Sequence, residues 1–148
     1  MNSCSFPEFM KTFETIKPMS NFEIIDKCKE LKIKNFKGVF MRDELNGKSS
    51  RNECLILNLD DGSGIGTHWT CLYINNNLRY YFDSFGLPPP LEILNYCSNY
   101  VDIKYSTHRI QTINEVICGH YSIYVLYKLF HGCNYIDILE ELYIKNHK

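Results

Sequence analysis

The sequence has no charge excess, no long apolar run and no paired-cysteine motif, and each lack removes a class of protein. Sixteen Lys and Arg against seventeen Asp and Glu leave a net charge of -1. No global field therefore draws in nucleic acid or an anionic membrane, and a partner of that kind would need a local basic patch. The lysines at 27, 29, 32, 34 and 37 read as a solvated helix face. No 18 apolar residues occur in succession, and the N-terminus MNSCSFPEFMKTFETIK has no basic stretch followed by an apolar one. Neither a membrane span nor a signal peptide is expected. The seven cysteines are odd in number, lie at 4, 28, 54, 71, 97, 118 and 133, and include no Cys-x-x-Cys. That usage fits a reduced, intracellular protein rather than a disulfide scaffold.

What is present fits one globular domain over 1–148. Hydrophobic residues at 45% and charged residues at 22% exclude disordered and fibrous classes. A chain of this length buries roughly two thirds of its unfolded surface. There are no internal repeats and no low-complexity segments.

Ser20-Asn21-Phe22-Glu23 has the Ser-x-x-Glu form of a capping box, in which each side chain satisfies an orphan backbone donor, so a helix is expected over about 21–32. An extended segment and turn follow over 36–45, then a loop at 46–50. Strand patterns cover 53–59, 69–74 and 78–82, with Asn75-Asn76-Asn77 as a tight turn joining the last two. Pro88-Pro89-Pro90 can start the helix suggested by Leu91, Ile93, Leu94 and Tyr96. A short strand fits 101–105. CGHYSIYVLYKLF over 118–130 is apolar on most faces and reads as a buried helix stopped by Gly132, and Asn134 caps a last amphipathic helix. Helices, then a mostly antiparallel sheet, then a buried helix make an α+β domain.

A helix N-terminus and a neighbouring imidazolium are two devices that stabilise a thiolate. Cys118 has the first by position, with Gly119 leaving the amides beside it unobstructed. Helix position alone leaves two readings open, a small core residue or a nucleophile. Cys28, Cys54, Cys71 and Cys133 have packing contexts. His68 joins a glycine-rich loop, DDGSGIGT over 60–67, to a strand, a place where a rigid scaffold positions catalytic side chains. Asp83 ends the next strand. A turn centred on Asn75-Asn76 pairs His68 directly with Asp83, and a centre at Asn76 brings them within one residue. A carboxylate beside an imidazole fixes its tautomer and orientation. Cys118-Gly119-His120 and His131-Gly132-Cys133 resemble zinc-ligand pairs, but a helix over 118–131 separates them by roughly 18 Å, too far for one tetrahedral site. No metal and no cofactor are expected.

In order and spacing, His68-Trp69, then YFDSFG over 81–86, then Gln111 seven positions before Cys118-Gly119 resemble the adenovirus maturation protease family, adenain, and more distantly the SUMO-specific proteases. FKGVFMRDEL at 36–45 and NLDDGSGIGTHW at 58–69 look like the compact adenain-like proteases of Maverick/Polinton elements and virophages. The likeness runs from about Asn21 to Gly132. It implies a papain-like cysteine protease fold in permuted order, with a central helix that opens with the nucleophile. In that pattern Cys118 is the nucleophile, His68 the general base and Asp83 its orienting acid. Gln111 and the amides of Cys118 and Gly119 form the oxyanion hole, and Trp69, with Gly66 and Thr67, lines a narrow substrate cleft. The implied substrate is a viral capsid or core precursor protein, cut by a monomer in the host cytoplasm, a viral factory or the virion. Adenain's activation by a disulfide-linked peptide and by DNA is not carried over, since Cys97 is out of register with the linking cysteine and the chain is nearly neutral. A SUMO- or ubiquitin-like isopeptidase, a related acyltransferase and a non-catalytic module of the same fold are the rival readings.

Overall fold

The computed structural model describes residues 4–60, 68–76, 78–98, 102–111 and 115–146. In chain order the elements are α1 (Phe6–Met10), α2 (Asn21–Glu30), β1 (Phe36–Met41), a 3-10 turn (Arg42–Glu44), β2 (Asn52–Asn58) and β3 (Trp69–Asn75). Then come β4 (Leu78–Phe82), α3 (Leu91–Tyr96), β5 (Lys104–Tyr105), α4 (Cys118–Phe130) and α5 (Tyr135–Asn146). The five strands form one sheet in sequence order.

The sheet is mixed. Its centre is antiparallel, β2 with β3 and β3 with β4, as the closely spaced strand runs and the Asn turn suggest. Both outer pairings, β1 with β2 and β4 with β5, are parallel instead. Each joins strands separated by a long connection, through the 3-10 turn and a loop in one case and through α3 in the other. Such a connection returns the chain to the same end of the sheet, which a tight hairpin cannot do.

Both faces of the sheet are covered, so β2 reads as a continuous apolar run rather than an alternation. Cys54, Ile56, Cys71 and Phe82 join the core around α4, while Leu55, Leu57, Leu72, Ile74 and Tyr81 pack with Ile93 and Tyr96 of α3 on the other side. α4 is buried from Cys118 through Leu129, as its all-round apolar sequence requires. Ser122 Oγ donates to the Trp69 carbonyl at 3.2 Å, which fixes the start of α4 against the start of β3.

α1 has no counterpart in the sequence reading, although Ser5-Phe6-Pro7-Glu8 forms the same capping box as Ser20 and Glu23. Phe6 stacks on Tyr121 of α4 with ring centroids 4.8 Å apart. The Phe6 amide donates to Glu141 of α5 at 2.9 Å, and Lys128 of α4 donates to the Cys4 carbonyl at 2.7 Å. α2 ends at Glu30, two residues before the expected stop. There Lys32, at φ 55, takes the left-handed position that usually signals itself by glycine, and the amides of Lys32 and Ile33 close on the carbonyls of Lys29 and Cys28. α4 ends in the same motif with Gly132 at φ 85, and Asn134 Oδ1 caps α5 by accepting from Ile136 and Asp137. Of the strand expected over 101–105 only Lys104 and Tyr105 pair with β4, and Val101 lies outside the described residues.

Candidate active site

Three segments meet at one end of the sheet: the start of β3, the turn after β4 and the start of α4. The hairpin places Asn75 opposite Leu78 and Cys71 opposite Phe82. Its centre therefore lies beyond Asn76, further along than either centre expected from the sequence. Extending that register sets Thr70, not His68, opposite Asp83. His68 is two residues further on the same face, and side chains reach across such a diagonal. His68 Nε2 and Asp83 Oδ1 are 2.7 Å apart. The backbone holds both ends, since the His68 carbonyl accepts from Leu59 and the Asp83 carbonyl accepts from Gly86 at 2.8 Å.

Asp83 is buried, and its Oδ1 also accepts from the Phe85 amide at 2.8 Å. Its second oxygen, Oδ2, is buried with no hydrogen bond. A buried carboxylate with one oxygen unsatisfied is costly unless a positive charge stands beside it, and His68 is the group in position to supply one. The imidazole stacks on the Phe85 ring, with centroids 4.3 Å apart and 19° between planes. With Nε2 committed to Asp83, Nδ1 is the ring nitrogen left for Cys118.

Cys118 begins α4, and the helix opens with no side-chain cap, so the amides of its first turn are not consumed by a capping group. The Trp69 amide donates to Cys118 Sγ at 3.4 Å. Burial pushes the Cys118 thiol up, but hydrogen bonds with His68 and the Trp69 amide, the charge of His68 and the Gly119 amide outweigh it, and the thiol falls below its ordinary 9.0. Burial likewise works against a charged His68, yet hydrogen bonds with Asp83 and Cys118, together with their charges, lift it from 6.5 to about 9. The two shifts run in opposite directions, each favouring the charged form of its group beside the other. The other buried thiols go the opposite way. Burial raises Cys28 and Cys54 to about 12 and Cys97 to about 11, and takes Cys71 well above 9.0.

Gly119 is small for a packing reason as well. A Cβ there would lie 3.3 Å from Trp69 Cδ1 and 3.6 Å from Met19 Cβ. Trp69 itself is buried and donates through Nε1 to the Met19 carbonyl at 3.1 Å. Gln111 is buried and linked to this group from both sides. Its Oε1 accepts from Ser84 Oγ at 2.6 Å, and its Nε2 donates to the Glu115 carbonyl at 2.7 Å. The carboxamide is thereby oriented, with one amide hydrogen committed to Glu115 and a second to spare. The Ser84 carbonyl accepts from the amides of both Ile110 and Gln111, at 2.8 and 2.9 Å. Gly86 permits that close lacing: at φ +75, its added Cβ would stand 2.8 Å from the His108 backbone.

His68, Asp83, Cys118, Trp69 and Gly119 thus form one contiguous group, with Gln111 tied to it through Ser84 and Glu115. Gly66 and Thr67 lie outside the described residues. Arg109 and Glu115 were not singled out from sequence, and Ser84 and Phe85 were read only as part of YFDSFG, with no role of their own. Ser84 and Phe85 follow the acid directly, and Arg109 precedes Gln111 by two in an irregular segment. Among the described residues no group of three or more His, Cys, Asp or Glu is placed to hold a metal ion, and no helix is long and apolar enough to cross a membrane.

The same fold occurs in two crystal structures of a protease, each superposing with a TM-score of 0.57 and covering 86% of this chain. That protease is pS273R of ASFV, 17% identical to this chain in its selenomethionine form and 18% in the other. This chain spans 65% of its length. No protein-family model matches the chain, and no curated protein does. The structural likeness is one of fold, and function is argued from the site.

Proposed function

We propose that the chain is a cysteine endopeptidase that cleaves a viral capsid or core precursor protein, with Cys118, His68 and Asp83 as its triad. The observation that carries this reading is the pairing of one lowered thiol with one raised imidazole, held by a buried carboxylate 2.7 Å from the ring. Supporting it are the fold shared with pS273R protease of ASFV and the adenain-like order of motifs. The thiolate attacks a peptide carbonyl, His68 gives its proton to the leaving amine as the C–N bond breaks, and a thioester remains. Water then attacks the thioester, His68 takes its proton, and the thiolate departs. Gln111 Nε2 and the uncapped amides of Cys118 and Gly119 serve the oxyanion, each such donor contributing roughly 3–4 kcal/mol. Trp69 and Met19, packed against Gly119, form a wall of the substrate cleft.

The test is incubation with the capsid and core proteins encoded beside its gene, followed by sequencing of new termini. Cys118→Ala should retain the fold and lose all cleavage, and an active Cys118→Ala chain would sink the proposal. A thiol-reactive peptide aldehyde should label Cys118 alone. Absence of labelling would favour a non-catalytic module.

A further inference from the structure

The imidazole is held by more than its carboxylate. Phe85 lies against it at 4.3 Å in a near-parallel stack, and the guanidinium of Arg109 lies over the same phenyl ring, its Cζ 4.9 Å from the centroid. Arg109 is engaged a second time, donating from Nε to the Gln111 carbonyl at 2.9 Å. One surface arginine therefore touches both the ring that backs His68 and the backbone of the residue whose carboxamide faces Ser84 and Glu115. A planar guanidinium suits this double task, since its face rests on an aromatic ring while its edge donates, which an ammonium cannot reproduce.

The turn explains why Phe85 is available. Gly86 closes the chain back on the Asp83 carbonyl, and Asp83 Oδ1 binds the Phe85 amide, so the acid that orients His68 Nε2 also fixes the backbone of the ring that covers its face. An imidazole has two soft motions in a site, sliding off its carboxylate and flipping about χ2. The Asp83 hydrogen bond restrains the first and the stack restrains the second. Phe85 also gives a protonated ring a π face, a contact that favours the cation.

We propose that Phe85 and Arg109 are positioning residues that act as one unit: Phe85 holds the His68 imidazole in line with Cys118, and Arg109 holds Phe85 while tying it to Gln111. This rests on the reading of His68 and Cys118 as base and nucleophile, but its first test needs no substrate. Alkylation of Cys118 by iodoacetamide, followed against pH by mass spectrometry, reports the thiolate that His68 stabilises. In Phe85→Leu the acid limb of that profile should move up by about half a pH unit. Phe85→Tyr, which keeps the ring, should retain the parent profile. Arg109→Ala should move the limb the same way by less, and the double variant should match Phe85→Leu, because Arg109 acts through the ring. With a cleavable peptide, Arg109→Ala should lower kcat roughly tenfold at unchanged KM. Thermal melts establish that each variant is folded, and Phe85→Met replaces the Leu variant if that one is not. A parent-like acid limb in the folded Phe85 variant, or shifts that add in the double variant, would overturn the proposal. A chain that alkylates as expected yet cleaves nothing would sink the protease reading and leave this one standing.

Discussion

Asp83 illustrates how one residue can be costly to the fold and useful to the site. Its Oδ2 is buried without a partner, so the protein maintains a carboxylate whose charge is answered by His68. Replacing it with an isosteric amide removes that charge and the first of the two groups, Asp83 and Cys118, that favour a protonated His68. Asp83→Asn should therefore lower the alkaline limb of activity from near 9, where the raised imidazole places it, toward the ordinary histidine range. Under the proposed triad, its kcat/KM should fall less than that of His68→Ala, which removes the proposed proton carrier and should lose roughly 10⁴-fold. A pH–rate profile of the two variants separates these effects, and an Asp83→Asn profile with its alkaline limb unmoved would deny the carboxylate its assigned role.

Among the elements, the turn from Asp83 to Gly86 carries the most consequence for its length. It holds the acid, the hydroxyl that orients Gln111, the phenyl ring against His68 and the glycine that admits the His108 backbone. Gly86→Ala meets both a left-handed φ and a Cβ 2.8 Å from a backbone carbon, and should cost about 2–4 kcal/mol. Activity should fall by more than stability accounts for, because the 107–111 segment must retreat from Ser84 and take Gln111 with it. Thermal melting and kcat/KM measured on the same preparation check this. Much of the fold around the turn was legible beforehand, since a capping box marks α2, short strand-forming runs mark β2, β3 and β4, an apolar run marks α4 and an amphipathic pattern marks α5. The meeting of His68 with Asp83 followed from the Asn hairpin, though its register was misplaced because three consecutive asparagines suit more than one turn centre. The outer segments were expected to be extended, but their parallel direction was not legible. β5 has two exposed residues and no pattern, and the direction of β1 is set by tertiary return rather than by its own residues. Arg109 was illegible for a related reason, as its two contacts exist only after the 83–86 turn and the 107–111 segment come together.

At the scale of the whole molecule, two histidines make stability depend on pH in opposite directions. Burial holds His120 at about 4, down from 6.5, with Glu23 pulling it up and Lys27 pushing it further down. Between those values the unfolded chain binds a proton that the folded chain refuses, so stability falls as pH drops from 6.5 to 4. His68 is raised, so its contribution is full below 6.5 and is lost as pH climbs through about 9. Cys118, lowered, contributes above 9.0 and loses that as pH falls, which partly offsets His68 on the alkaline side. Between pH 4 and 9, denaturant melts should peak near pH 6.5 and decline more steeply toward acid. His120→Phe should flatten the acid side, and an unchanged acid slope would remove His120 as its cause.

The unequal ionisation of the cysteines also sets how the molecule ages in air. Oxidants attack thiolate far faster than thiol, so the seven cysteines are not equally at risk. Dilute hydrogen peroxide should convert Cys118 to a sulfenic acid while Cys28, Cys54, Cys71 and Cys97, buried and held as thiols, stay intact, as trapping with dimedone and peptide mapping would read. The sulfur proposed as nucleophile is then the molecule's fuse: oxidation there should end the proposed activity before any damage to the core, and a thiol reductant should restore it.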